Sequence, residues 1–208
     1  MAIDEIAIGH GHRYLTVVLD LDSGAVVFVG EGKNAESLLP FWWRLCASHA
    51  KIQVVAMDMS GAYISAVNEF LPSAEIVFDH FHVIKLMNEK LSDLRRELHR
   101  EAVDQLGKKV LKGTHWLLLK NPENLDPQRK EPERLEEALR LNQPLATAYY
   151  LKEDLRQFWL QPHKTAARNF LTSWYLRAMS SGIRVLHQMA KTLLVHASED
   201  VNLWGSSS

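Results

Sequence analysis

A strand–acid–helix pattern occurs twice in succession within residues 51–96, KIQVVAMDMSGAYISAVNEFLPSAEIVFDHFHVIKLMNEKLSDLRR, and constrains the fold more than any other feature. The apolar run at 52–57 is short and β-branched, as expected of a buried strand, and it ends at Asp58. Gly61 follows. Ala62, Ile64, Val67 and Leu71 then trace an amphipathic helix stopped by Pro72. Residues 76–78 form a second short strand that again ends on an acid, Asp79, with His80 and His82 beside it and a long helix behind. Such a unit gathers its carboxylates along one edge of a sheet, and in open parallel sheets that edge binds ligands.

The rest of the first half supplies partners for these strands. Residues 3–8 read as a short strand carrying Asp4 and Glu5, and His10 and His12 fall in the turn that follows. The run YLTVVLDL at 14–21 favours a strand, Asp22-Ser23-Gly24 a turn, and 25–29 the returning strand of a hairpin. Asn34 is placed to cap a helix over 35–49. Beyond Phe81 only helical periodicity is evident. Ile84, Met87, Leu91, Leu94 and Leu98 form a narrow apolar seam, with Lys85, Lys90, Arg95, Arg96 and Arg100 on the other sides of that helix. Residues 121–132 hold three prolines and read as a loop. Helices are predicted at 133–141, 145–158, 164–179 and 183–195, and the tail from 199 reads as unstructured. The division predicted is 1–95, 96–198 and a disordered 199–208. The six tryptophans are assigned to the core.

Composition narrows the function classes. A chain of 208 residues, 47% hydrophobic and 24% charged, suits a globular protein. Its lone cysteine, Cys46, excludes a disulfide framework or an all-cysteine zinc site from this chain. No signal peptide or membrane-length apolar run is evident, so a cytoplasmic protein without membrane partners is expected. With a net charge of −1, any DNA contact must come from a local basic surface. Carboxylates from two strands suit hard divalent ions such as Mg²⁺ or Mn²⁺, although strand-end aspartates often serve as turn formers. A metal hydrolase built from Asp58, Asp79, His80 and His82 would need all four to converge, which the alternation of strand and helix faces disfavours.

Two ordered blocks carry a family resemblance. The first is Asp4-Glu5, Gly11-His12-Arg13-Tyr14 and Val17-Val18-Leu19-Asp20. The second is Met57-Asp58-Met59, Tyr63, Pro72, Ala74, Ile76-Val77, Asp79-His80-Phe81-His82-Val83 and Lys85-Leu86-Met87-Asn88. The chain resembles the DDE transposases of bacterial insertion sequences, in particular the IS-L-three group. That resemblance implies a ribonuclease-H-like α/β fold, a mixed five-stranded sheet of order 3-2-1-4-5 followed by an all-helical insertion lobe. It implies Asp4 and Asp58 as catalytic acids and ligands of Mg²⁺ or Mn²⁺, with Asp79 and His82 in support. It further implies DNA partners, both transposon ends and target, homo-oligomerisation, and cleavage and joining of DNA strands. Lys85, Arg95, Arg96 and Arg100 are the DNA-contact candidates. The family's third acid, a Glu in a Glu-Gly-Asn context, is expected beyond Ser208, and Glu199-Asp200 lacks that context. The chain therefore reads as truncated at both ends, and the alternative function is an inactive remnant that binds DNA or a full-length transposase.

Overall fold

A computed structural model describes residues 1–8, 13–103, 105–196 and 201–202. They fall into two compact units, one of Met1–Val83 with His196–Ser208 and the other of Ile84–Val195.

The first unit is built on a mixed sheet. Strand β1 (Ala2–Ala7) pairs antiparallel with β2 (Tyr14–Leu19), and β2 with β3 (Val26–Glu31). The hairpin turn forms as its sequence requires. The Asp20 carboxylate accepts the amides of Asp22 and Ser23, and Gly24 takes φ +71°, a conformation glycine adopts without a Cβ clash. Asn34 caps the next segment through a reciprocal bond set with Ser37, but the first turn is a 3-10 turn (Ala35–Leu38). Helix α1 proper is Leu39–Ser48. A Cβ on Gly30 would stand 2.5 Å from the Ser37 carbonyl oxygen, so only glycine lets β3 lie this close to that turn.

The two acid-ended strands are β4 (Val54–Met57) and β5 (Glu75–Phe78), with α2 (Gly61–Phe70) between them and α3 (His80–Glu101) after. Strand β4 pairs parallel with both β1 and β5. The order is β3-β2-β1-β4-β5-β6, so the expected 3-2-1-4-5 arrangement holds and gains a sixth strand. This last strand, β6 (Val201–Asn202), pairs parallel with Ile76–Val77. It falls in the tail expected to be unstructured; two residues are too few to carry a strand periodicity.

Helix α1 shows why adjacent tryptophans differ. Successive residues of a helix lie about 100° apart, so Trp42 is fully buried, stacked on Phe70 at 5.3 Å, while Trp43 is 69% exposed. Trp174 is also fully buried, but Trp116 is 71% exposed, so the assignment of every tryptophan to the core is corrected at Trp43 and Trp116.

The second unit is helical throughout its described residues. After α3 come α4 (Gln105–Gly113), α5 (His115–Leu119), α6 (Glu131–Leu141), α7 (Gln143–Arg156), α8 (Lys164–Ser180) and α9 (Arg184–His196). The proline-rich segment holds two 3-10 turns, and α6 begins at Glu131, earlier than expected, because Pro132 occupies the first turn where a missing N–H costs nothing. Met87, Leu91 and Leu94 of the α3 seam are buried as predicted.

Lys152 is 1% exposed. Its Nζ donates to the Leu118 carbonyl at 2.9 Å and lies 2.5 Å from Glu153 Oε1 and 4.7 Å from the Tyr149 ring centre. The ammonium thereby satisfies carbonyls at the end of α5 that the helix leaves open. Glu153 keeps Arg156 Nη1 at 2.7 Å if the lysine is removed, so the loss falls on the Leu118 carbonyl. Lys152→Met is expected to cost about 1–3 kcal/mol of stability in urea denaturation by leaving that buried carbonyl unpaired.

Candidate active-site edge

Strands β4 and β5 end at one level of the sheet, and β1 runs past that level to Ala7. Ile3, Met57 and Phe78 are register partners on β1, β4 and β5, and each is 2% exposed or less. The residue after each is an aspartate: Asp4 within β1, and Asp58 and Asp79 just past the ends of β4 and β5. Neighbouring strands lie about 4.8 Å apart, so the backbone delivers three acids, side by side in sequence register, at one level of the sheet.

Each aspartate is fixed locally. Asp4 Oδ1 accepts the Glu5 amide at 2.7 Å, Asp58 Oδ1 the Ser60 amide at 3.0 Å, and Asp79 Oδ1 the Phe81 amide at 2.9 Å. The last two are side-chain turns in which a short carboxylate folds back on its own backbone. His82, in the first turn of α3, lies between two of the acids. Its Nδ1 is 3.4 Å from Asp79 Oδ2 and its Nε2 is 3.8 Å from Asp4 Oδ1. Both contacts are looser than good hydrogen bonds, and Nδ1 is buried without a hydrogen-bond partner. His80 Nδ1 is 3.6 Å from Asp79 Oδ1.

Glu5 occupies the other side of the strand from Asp4 and forms part of a buried polar chain that sequence reasoning did not single out. Tyr63 and Thr16 are fully buried. Thr16 Oγ1 lies 2.9 Å from the Gly32 carbonyl oxygen, which it can donate to, and 2.8 Å from Tyr63 Oη. Tyr63 also bonds the Glu5 carboxylate. Tyr63 donates to the Glu5 carboxylate, so two hydroxyls in series, those of Tyr63 and Thr16, link Glu5 to the Gly32 carbonyl. Burial is the main reason that Glu5 is held above the ordinary carboxylate range, with Asp58 adding to it against the Tyr63 bond. Burial also raises the Tyr63 phenol.

The donor chemistry suits a divalent cation. Mg²⁺-type ions are often held by one or two carboxylates and substrate phosphates rather than by a closed protein cage, and Asp4 and Asp58 offer such a pair. Among the described residues no group of three or more His, Cys, Asp or Glu is close enough to hold a metal ion. The four-residue set Asp58, Asp79, His80 and His82 therefore does not assemble as a metal centre. His10, His12, Glu199 and Asp200 lie outside the described residues.

The four cations proposed for DNA contact divide in the second unit. Arg95 Nη1 donates to the Leu111 carbonyl at 3.1 Å, and Arg96 pairs with Asp93. Lys85 and Arg100 are exposed, without a partner among the described residues. Glu97 of the same helix takes Arg184 of α9 at 3.1 Å. Among the described residues no helix is long and apolar enough to cross a membrane.

Comparison with known proteins agrees with the two sequence blocks. A family model described as transposase matches residues 1–207. The chain is 37% identical over 196 residues to the transposase for insertion sequence element IS1001 of Bordetella parapertussis, covering 93% of this chain and 48% of that protein. It is 30% identical over 219 residues to the transposase for insertion sequence element IS1557 of Mycobacterium tuberculosis, in two strains, covering 94% of this chain and 49% of that protein. The chain spans about half the length of the curated relatives it matches.

A raised carboxyl binds its proton more tightly in the folded state, so it stabilises the fold fully below the ordinary carboxylate range. That contribution is lost as pH rises through the folded-state value. Glu5→Gln, which removes the charge and keeps an oxygen that accepts from Tyr63, is expected to unfold at a higher temperature than the parent at pH 7. The two melting curves should converge in acid; a parent that is the more stable at pH 7 would contradict the raised carboxyl.

Proposed function

The chain belongs to the transposase family of bacterial insertion sequences, in its DDE, IS-L-three group, and from that membership we propose that it carries the strand-cleaving centre of such a transposase. The observation that supports this most is the register of β1 and β4. Ile3 pairs with Met57, and Asp4 and Asp58 are the residues that follow.

On this reading Asp4 and Asp58 present carboxylate oxygens to Mg²⁺ or Mn²⁺ at the sheet edge. A divalent ion bound there supplies charge stabilisation to a phosphodiester under attack. The chain's own contribution is positional. Each aspartate is pinned by one oxygen to a backbone amide, so its carboxylate is oriented before substrate arrives. Asp79 and His82 act as positioning residues, with His82 set between Asp79 and Asp4. Tyr63 and Thr16 hold Glu5 on the far side of β1 and keep the strand from shifting. The helical unit is the insertion lobe of the fold, a reading supported by the contribution of residues from both ends of the chain to the first unit. Its exposed cations contact DNA phosphates, at transposon ends and in the target.

The test uses a protein of the relatives' full length that carries this chain. Asp58→Ala and Asp4→Ala should each abolish divalent-ion-dependent cleavage of transposon-end DNA while leaving DNA binding within about twofold. Cleavage that survives both changes would remove these acids from the centre.

A second reading, binding to DNA or to a full-length transposase without cutting, is favoured by the absence of a three-residue metal group among the described residues. It is separated from the first by incubating the 208-residue chain alone with supercoiled plasmid and Mn²⁺ or Mg²⁺. No nicking is expected; nicking abolished by Glu199→Gln would make Glu199 a catalytic acid and overturn this second reading.

A further inference from the structure

In the helical unit an open groove of about 840 Å³ is lined by the C-terminal half of α3, by Lys112 of α4 and by the start of α9. Five cations, Arg95, Arg96, Arg100, Lys112 and Arg184, face two carboxylates, those of Asp93 and Glu97. This local excess stands out in a chain whose net charge is −1. We propose that the groove is a binding site for the phosphodiester backbone of DNA, gripped by Arg100 and Lys112 with Arg184 beside them. The proposal rests on the DNA-acting reading above and adds a defined site with two residues, Lys112 and Arg184, outside the α3 stripe.

The five cations are not equivalent. Arg95 is committed to the Leu111 carbonyl, and its Nε is buried without a partner, so its charge is fixed in the wall and only partly compensated. Arg96 is tied to Asp93, and Arg184 to Glu97 across α3 and α9. Arg100 and Lys112 are exposed and have no partner among the described residues. They are flexible donors set beside a fixed positive field, the arrangement that draws in a polyanion and then adapts to its phosphates. The crowding is felt nearby, where burial and then Arg95 and Arg96 lower the proton affinity of His115. Helix-end chemistry alone explains one cation in the last turn of α3. It does not explain cations arriving from α4 and α9. The groove is also far larger than one phosphate group, which favours a run of backbone over a single ion.

The test is fluorescence anisotropy of the whole chain with a short labelled duplex and with the matching single strand, across a salt series. Arg100→Glu with Lys112→Glu should weaken binding at least tenfold and make the slope of log affinity against log salt shallower by about two. The control, Lys130→Glu with Arg140→Glu, makes the same charge change at positions that do not line the groove and should alter affinity less than threefold. Millimolar inorganic phosphate should not displace the labelled strand; displacement would mean a single-ion site and overturn the proposal. Equal losses in the two double variants would overturn the groove while leaving the DNA-acting reading intact. A parent chain that binds neither form at low salt would overturn both. The duplex and single-strand arms decide which form the groove holds, and binding of either through Arg100 and Lys112 supports it.

Discussion

The parallel register of β1, β4 and β5 is the constraint on which the candidate centre depends. Parallel strands need crossovers, so the chain must leave β4 and return through α2 before β5 can be laid down. Once the buried row Ile3, Met57 and Phe78 is aligned by packing, the next residue of each strand has little freedom in position. A slip of one residue would turn the apolar set outward and the acids inward, at a cost well beyond what any carboxylate contact returns. The alignment of Asp4, Asp58 and Asp79 is therefore a by-product of core packing, and it is as stable as the core itself.

Buried polar groups then sharpen each unit separately. In the sheet unit the Glu5–Tyr63–Thr16–Gly32 chain couples α2 to β1, β2 and the end of β3. In the helical unit Lys152 and the Trp174 Nε1 bond to the Leu151 carbonyl at 2.8 Å do similar work. Each of these groups would cost free energy if left unpaired in the interior. Their value is in excluding nearby packings that a purely apolar core would tolerate.

The features legible in the sequence were those carried by periodicity and by residue type at fixed spacing. The strand–acid–helix repeat located β4, α2, β5 and the start of α3, and the Asn34 cap and the Gly24 turn appeared where their chemistry required. What escaped had no local signal. Strand β6 is two residues long and exists because Ile76 and Val77 offer an edge to pair with. Glu5 reads as one more charge in a strand; only its cross-strand partner Thr16, together with Tyr63 on α2, ties it to buried hydroxyls. Trp43 and Trp116 were misplaced because composition says nothing about which way a helical residue faces.

The arginines of α3 carry the same lesson further. In sequence Arg95, Arg96 and Arg100 are three equivalent charges on one helix, yet the fold assigns them different physical tasks. Arg95 holds the Leu111 carbonyl, Arg96 neutralises Asp93, and Arg100 stays exposed. The net charge of −1 is likewise an average over unlike regions. Acids collect at one level of the sheet because the register sets Asp4 of β1 beside the ends of β4 and β5, while cations collect where α3, α4 and α9 meet. Whole-chain charge bears on solubility and long-range steering, but recognition of a phosphate is decided within about one Debye length, roughly 8 Å at physiological salt. A chain with almost no net charge can thus keep a carboxylate edge suited to metal ions in one unit and a cationic groove suited to phosphates in the other.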